Sequence, residues 1–299
     1  MPVGIPLDMS PSTTPSPVSA LTARKTWRTV EPLHGMVYFA PEASESYARL
    51  GLVGQSGYFA SRAAPMGAVS AGTVVATFYN FRPSLVHDAM AGAWRITTPA
   101  AVLEARVEVA GSALRRILGL DVDSPDLAEA AELARRAALG ACEHPEGRPL
   151  FAGHAGLVWP EDPLEVLWHA QTLLREFRGD GHIVQLVAHG LDGTEAVVMH
   201  EATGELPPAF LRATRGWNDD EWEGATERLA SRGLIRSDPA TGVVSLTEAG
   251  AALRQTIEDG TDRLSVVAYE AIGEDGCDRL RELVRPSSRT VFAASGMGG

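Results

Sequence analysis

The spacing of apolar residues predicts helices along most of this chain. Apolar positions recur every three or four residues, which places them on one face of a helix, and proline or a capping side chain precedes many of these segments. The predicted helices cover residues 40–50, 57–63, 71–79, 83–91, 99–118, 125–139, 163–177, 182–189, 193–202, 207–214, 219–232, 247–272 and 274–284. The sequence therefore predicts a mainly α-helical fold.

Residues 217–250 predict a different local arrangement, in which a two-stranded hairpin separates two helices. Asn218 or Asp219 is the candidate N-cap of the first helix. The segment SRGLI ends that helix at Gly233 and continues as a strand, and the segment SDPATG is a turn between two short strands. Thr247 is the candidate cap of the next helix. This order is that of the last helix and the wing of a winged helix-turn-helix domain.

The motif RGLI…VSLTEAGAALRQTIE in residues 232–258 resembles the multiple-antibiotic-resistance regulator (MarR) superfamily. The resemblance implies a winged-helix fold, DNA binding as a dimer, and a response to small phenolic or antibiotic ligands in antibiotic response or secondary metabolism. Over residues 40–285 the motifs YFASRAAPMG, LWHAQTLLREFRGDGH and LTEAG also resemble actinobacterial proteins described only as helix-turn-helix proteins. Because winged helices are also used without DNA, both resemblances specify a fold more than a function.

Acidic residues in the helix before the hairpin argue against DNA binding. In the MarR superfamily this helix enters the major groove among phosphates. Here its first half carries the carboxylates of Asp219, Asp220, Glu221, Glu223 and Glu227, and the whole chain has a net charge of −12. Stabilisation of the helix N-terminus is the alternative role of these carboxylates. DNA is therefore a disfavoured partner, although Arg215, Arg232 and Arg236 could form a local basic patch.

The composition favours a cytoplasmic protein with two domains or one large helical unit. With 299 residues, of which 45% are hydrophobic, the chain can bury a sizeable core, and no apolar run is long enough to cross a membrane. Cys142 and Cys277 are predicted to be reduced thiols, because two cysteines form no disulfide framework. The histidines lack metal-site spacing and no nucleotide-binding motif occurs. The sequence therefore predicts neither a metal nor a cofactor.

We divide the chain into four segments: a disordered leader (1–32), two helical halves (33–150 and 151–285) and a flexible tail (286–299). The second half carries the MarR-like winged helix. The halves show a faint internal duplication, in which PAAVLEARVEVAGSALRRILGL matches DDEWEGATERLASRGLI. Under this interpretation the chain is a duplicated, winged-helix-like pseudo-dimer with a central cleft for a ligand. Chance similarity between alanine-rich helices is the alternative.

The densest polar cluster lies between Trp168 and His182. We predict that the helix ends at Gly179, that Asp180 caps the next helix, and that His182 lies in its first turn. Arginines around such a break can hold an anionic or carbonyl-bearing ligand. The candidate ligand-binding residues of this cluster are Trp168, Arg175 and Arg178. The candidate catalytic residues are His182, His169 and Asp180. The alternative is a network that only stabilises a helix corner.

A second candidate site surrounds Arg62 in the first half. Under the duplication Arg62 corresponds to Arg178, and an aromatic wall beside two arginines suits a planar, partly polar small molecule. The candidate ligand-binding residues here are Tyr58, Phe59, Arg62, Tyr79 and Asn80. The alternative is an ordinary aromatic core.

Together these patterns predict a protein that binds a small aromatic or anionic molecule and does not bind DNA strongly. The first alternative is a ligand-responsive MarR-like transcription regulator, which requires a basic surface that faces DNA. The second is a cofactor-free enzyme of secondary metabolism in which a histidine is the acid or base and arginines bind the substrate. No membrane partner is predicted, and the sequence leaves the oligomeric state open.

Overall fold

A computed structural model of the chain describes residues 17–119, 124–206, 208–238 and 241–295. Most of these residues lie in helices, which confirms the mainly α-helical fold. The helices are α1 (Ala20–Gly35), α2 (Pro41–Arg49), α3 (Gln55–Ala63), α4 (Ala71–Thr77), α5 (Pro83–Met90), α6 (Ala93–Ile96), α7 (Pro99–Leu118), α8 (Pro125–Cys142), α9 (Pro149–Ala155), α10 (Pro163–Ala188), α11 (Gly193–Glu201), α12 (Pro208–Arg215), α13 (Asp219–Ser231), α14 (Glu248–Tyr269) and α15 (Gly273–Ala294). The strands are β1 (Ile235–Ser237) and β2 (Val244–Leu246). None of the helices in these ranges combines the length and hydropathy of a membrane-crossing segment.

Proline and a capping side chain together set the starts of the long helices. Pro99 opens α7 and Pro163 opens α10, where the fixed φ of proline suits the first turn. Thr98 and Asp162, immediately before them, accept backbone N–H groups of the first turn. The local sequence is therefore enough to place these helix starts. By contrast, the short helices α6 and α9 were not predicted.

Helix α1 lies within the segment that we predicted to be a disordered leader. That prediction of disorder over 1–32 is wrong for residues 20–32, which are helical, and residues 1–16 lie outside the described residues. Ser19 caps the helix, and Ala23, Val30 and Leu33 on its inner face are buried. Because α1 packs mainly against α15, the burial that stabilises it comes from the other end of the chain.

Helix α15 continues past the predicted end at residue 284 as far as Ala294. The predicted flexible tail over 286–299 is therefore wrong for residues 286–294, and residues 296–299 lie outside the described residues. Pro286 removes one backbone donor inside the helix. Val284 and Val291 are nevertheless buried, and α15 packs along α1. This burial compensates for the lost hydrogen bond.

Helix α10 is continuous, which corrects the predicted break at Gly179. Gly181 faces α14, and a Cβ there would make an ordinary van der Waals contact of 3.7 Å with the Leu264 side chain. Packing of α10 against α8 and α14 outweighs the roughly 1 kcal/mol that a glycine costs inside a helix. Consequently Asp180 does not cap a following helix, and His182 lies inside α10 instead of in a first turn.

The main core is a bundle of the long helices α1, α8, α10, α14 and α15. Helix α8 packs chiefly against α10, and α1 against α15. Ala134, Ala137 and Ala138 on α8 are fully buried, and their small side chains allow α10 and α14 to approach closely. Helices α2 to α7 pack beside this bundle. Cys142 and Cys277 are free thiols.

A separate small core is formed by α11, α12, α13 and the hairpin β1–β2. The strands are antiparallel, with Ile235 opposite Leu246. Trp222 on the inner face of α13 is buried in this core. Of the two candidate caps of α13, Asn218 is the one that caps the helix, and Thr247 caps α14 as the sequence predicts. The helix, the hairpin and the next helix of residues 217–250 therefore follow one another in the predicted order.

Candidate functional site

A cavity of about 1060 Å³ lies between the main core and the small core. Residues of α1, α3, α10 and α14 line one side, and residues of α11 and α12 line the other. Residues 77–81, which include the connection from α4 to α5, complete the wall. Ligand pockets usually measure roughly 300–1000 Å³. The cavity is therefore large enough for a drug-sized molecule.

Most of the residues predicted to bind a ligand line this cavity. They are Tyr58, Arg62, Tyr79, Asn80, Arg175 and Arg178. Phe59 and Trp168 do not: Phe59 is fully buried among the aromatic rings of the main core, and Trp168 is buried with its ring stacked 6.1 Å from that of His34. Tyr58 and Phe59 are consecutive on α3, so they point to different sides of the helix.

Two of the candidate catalytic residues, His182 and Asp180, line the cavity, whereas His169 does not. His169 is buried edge-on against Trp159, with 4.7 Å between the ring centroids, and burial lowers its pKa to about 4. Nδ1 of His182 lies 3.0 Å from Oγ1 of Thr261, and burial lowers the pKa of His182 as well. His182 is therefore the candidate histidine that can contact a ligand.

An arginine–carboxylate network lines the wall beside α1. Arg175 donates from Nε to Oε1 of Glu31 at 3.0 Å and from Nη1 to Oε1 of Glu176 at 2.7 Å. Arg62 lies 4.0 Å from the same Glu176 oxygen and donates to the Tyr58 hydroxyl at 2.9 Å. Burial would raise the pKa of Glu176, but Arg175 and Arg62 hold it below its ordinary value. Sequence reasoning missed Glu31 because it lay in the predicted leader.

Arg178 belongs to a second ion-pair cluster on the same cavity. Its Nη2 lies 3.0 Å from Oε2 of Glu258 and 2.8 Å from Oδ1 of Asp262. Its guanidinium lies 4.1 Å from the centroid of the Trp27 ring. Arg24 contacts the same two carboxylates. Arg178 therefore connects α10 to α14 and also contributes to the cavity wall.

Asp180 joins α10 to the start of α9. Its Oδ2 accepts the backbone N–H of Phe151 at 2.9 Å. Burial raises the pKa of Asp180 to about 7, although the N–H groups of Phe151 and Leu150 act in the opposite direction. A carboxyl group that titrates near neutral pH beside a cavity is suited to general acid–base chemistry.

Replacing Asp180 by asparagine is expected to remove part of the pH dependence of stability. The folded state holds the Asp180 proton up to about pH 7, whereas the ordinary pKa is 3.8. The folded state therefore binds this proton more tightly, and stability falls as the pH rises between these values. Relative to D180N, the wild type should lose about 2 kcal/mol between pH 5.5 and 8 in urea unfolding. If the free energy of unfolding depended on pH equally in the wild type and D180N, the raised pKa of Asp180 would be contradicted. D220N replaces an exposed aspartate and is the matched control.

Residues 79–82 form a strap between the two cores. The Tyr79 hydroxyl donates to the Leu191 carbonyl at 2.5 Å, and Nε1 of Trp217 donates to the Asn80 carbonyl at 2.9 Å. The Arg82 N–H donates to the last carbonyl of α12 at 3.0 Å. Because Tyr79 and Asn80 also line the cavity, the strap couples the shape of the cavity to the position of the small core.

Residues 216–218 form a short turn between α12 and α13, and the hairpin follows α13. A family described as a helix-turn-helix family matches residues 23–298. The chain belongs to this helix-turn-helix family. Membership gives it a fold of the DNA-binding-regulator type, and we call α11–α13 with the hairpin the helix-turn-helix segment. No curated protein and no solved structure matched the chain.

The outer face of α13 in the helix-turn-helix segment is acidic. Its exposed carboxylates are Asp219, Asp220, Glu223 and Glu227. Arg228 and Arg232 are both paired with Glu195 on α11. Arg215 lines the cavity, so it does not join Arg232 and Arg236 in the basic patch that the sequence suggested. The charges on α13 therefore oppose an approach to phosphates.

Proposed function

We propose that this helix-turn-helix protein binds a planar, partly polar small molecule in the cavity between the main core and the helix-turn-helix segment. The observation that carries the proposal is the cavity of about 1060 Å³ with its aromatic and arginine wall. The guanidinium of Arg62 lies 4.2 Å from the centroid of the Phe78 ring. The ring centroids of Tyr58 and Phe81 lie 5.8 Å apart. A flat molecule can stack on such a wall.

Buried polar atoms in the cavity wall favour a ligand that forms hydrogen bonds. Oδ1 of Asn80, Nε of Arg62 and Nε of Arg178 have no hydrogen-bond partner among the described residues. A buried polar atom without a partner costs about 1–3 kcal/mol. A ligand with both donors and acceptors would offset part of this cost, whereas a hydrocarbon would not.

We also propose that the helix-turn-helix segment is a winged helix and that the chain is a pseudo-dimer of two related halves. If the halves are redrawn as α1–α8 and α10–α15, the first helix of each packs against the last helix of the other, α1 on α15 and α10 on α8. Such crossed contacts are expected of two protomers joined in one chain. The described part of the first half contains no strand pair, so the wing is assigned to the second half alone. The MarR resemblance extends the proposal to antibiotic response or secondary metabolism.

The cavity proposal is tested with 8-anilinonaphthalene-1-sulfonate, an aromatic probe with a flat naphthalene ring whose fluorescence reports binding. Ile183 lines the cavity on α10, so I183W should fill part of it and weaken binding at least about tenfold, or about 1.4 kcal/mol. The adjacent Val184 is exposed on the same helix and does not line the cavity. V184W should therefore bind within twofold of the wild type. Unchanged affinity in I183W would mean that the probe binds outside the cavity and would contradict the cavity proposal.

A ligand-responsive transcription regulator is the second candidate, and the family membership favours it. The acidic outer face of α13 opposes it. Fluorescence anisotropy with DNA from the protein's own gene neighbourhood, at low and moderate salt, separates the candidates. Tight binding that weakens steeply with salt would establish a regulator. No binding at low salt would exclude the regulator and leave the ligand-binding function.

An enzyme is the third candidate, because Asp180 and His182 both line the cavity and the pKa of Asp180 is raised to about 7 by burial. A neutral carboxyl group and a neutral imidazole can act as acid and base on one ligand. Turnover of a bound ligand that H182A abolishes without weakening ligand binding would favour this candidate over a binding protein.

A further inference from the structure

We propose that one end of the cavity is an anion subsite and that the ligand is therefore an aromatic acid. The subsite consists of Tyr58, Arg62, Arg175 and Arg215, all of which line the cavity. This inference rests on the proposed function and names the ligand class for the same cavity. The acid group is a carboxylate or another oxyanion, and the aromatic part lies along the wall formed by Phe78 and Phe81.

Arg215, at the end of α12, faces the cavity without a carboxylate partner. No carboxylate of the described residues lies within 4.0 Å of its guanidinium. Its Nη1 donates to Oγ1 of Thr214 at 3.0 Å, and its guanidinium lies 4.8 Å from the Phe81 centroid. Burial lowers the pKa of Arg215; Tyr58 acts in the opposite direction, and the charges of Arg62 and Arg175 lower the pKa further. The positive charges of Arg62, Arg175 and Arg215 therefore repel one another at this end of the cavity.

Arg106 supplies a further cation behind Tyr38, a residue of the cavity wall. Its side chain is only 1% exposed, and Nη2 lies 3.5 Å from the Tyr38 hydroxyl. Its Nε and Nη1 have no hydrogen-bond partner among the described residues. The guanidinium groups of Arg62, Arg106 and Arg175 lie 5.4, 5.6 and 5.5 Å from the centroid of the Tyr38 ring. Three cations therefore surround one phenol ring.

The carboxylates at this end are too few to balance the arginines. Glu31 and Glu176 both bind Arg175, and Glu176 also faces Arg62. The neighbouring histidines add no charge at neutral pH. Burial, reinforced by nearby arginines, lowers the pKa of His34 well below its ordinary value, and burial lowers that of His154 to about 3. A buried excess of positive charge is unfavourable unless an anion is added.

The opposite end of the cavity offers no comparable site. Arg178 and Arg24 are matched there by Glu258 and Asp262, and Arg254, which also lines the cavity, is paired with Glu205 at 3.6 Å, so the charges of these described arginines are already balanced. The acid group is therefore assigned to the end that contains Arg62 and Arg215. Arg62 belongs to α3 and Arg215 to α12, so a bound anion would connect the main core to the helix-turn-helix segment.

The subsite is tested by isothermal titration calorimetry with 2-naphthoate and 2-naphthamide, which share a ring system and differ in charge. The wild type should bind naphthoate at least about tenfold more tightly than naphthamide. R215M should lower this ratio toward one, because it removes a cation for which the described residues supply no carboxylate partner. R135M is the matched control and should keep the ratio, since Arg135 is an exposed arginine 5.1 Å from the Trp159 ring, outside the cavity.

A second variant, R106M, distinguishes whether Arg106 helps to bind the anion or only stabilises the fold. No carboxylate in the described part of the chain pairs with Arg106 within 4.0 Å, so R106M leaves none unpaired. The melting temperature of the ligand-free protein should therefore stay the same or rise, while the preference for naphthoate falls. A lower melting temperature together with an unchanged preference would make Arg106 structural and overturn its part in the subsite. Equal affinities of the wild type for the two probes would overturn the subsite but leave the cavity proposal standing. Failure to bind either probe would count against both.

Discussion

R178A is expected to destabilise the fold by about 3 kcal/mol in urea unfolding followed by circular dichroism. Arg178 is 8% exposed and Asp262 is 5% exposed, and they form an ion pair of 2.8 Å between α10 and α14. Removal of the guanidinium leaves Asp262 buried with Arg24 as its remaining ion-pair partner among the described residues. It also removes the contact with Trp27. The expected loss is therefore that of a broken buried pair and not that of a surface contact.

R116A is the matched control for this prediction. Arg116 contacts Glu42 at 2.6 Å, but half of its side chain is exposed, and exposed pairs contribute about 0–1 kcal/mol. A loss in R178A as small as that in R116A would contradict a structural role. If R178A also kept its stability but lost binding of 2-naphthoate, Arg178 would instead be a ligand-binding residue, as the sequence suggested.

The elements predicted correctly are those whose signals are local. Pro99 after Thr98 and Pro163 after Asp162 mark helix starts within a few residues, and Thr247 does the same for α14. The errors arose where distant contacts decide the outcome. The composition of the first residues predicted a disordered leader, but α1 is held by α15. Gly179 predicted a break, but the packing of α8 and α14 keeps α10 continuous.

The sequence was enough to predict which residue types form the candidate site, but not which of these residues reach the cavity and which lie in the core. Helical periodicity placed Trp168 and Arg175 on one stripe of α10. In the structure the same stripe passes from the core, where Trp168 stacks on His34, to the cavity at Arg175. Periodicity specifies the face of a helix and not the distance from the core at which a residue lies. Arg215 could not be assigned either, because its role depends on how α12 faces the main core.

G193A is the second change with a large expected effect, because it acts on the strap that joins the two cores. A Cβ on Gly193 would overlap the Tyr79 carbonyl oxygen and lie 3.1 Å from the Tyr79 carbonyl carbon, which are backbone atoms that cannot rotate away. The strap would have to move from the start of α11. We expect a loss of about 3 kcal/mol in urea unfolding, which is typical of severe overpacking. Binding of 8-anilinonaphthalene-1-sulfonate should weaken as well, since Tyr79 and Asn80 line the cavity.

The same substitution at Gly224 distinguishes overpacking from a general effect of alanine. Gly224 lies inside α13, and the nearest atom to its Cβ position is the flexible end of Arg228 at 3.6 Å. G224A should therefore gain about 0.5–1 kcal/mol from the higher helix propensity of alanine. Opposite signs for the two variants would show that the strap fits closely against the helix-turn-helix segment. A G193A protein as stable as G224A would mean that the strap yields freely, and a ligand in the cavity could then not be coupled to the helix-turn-helix segment through it.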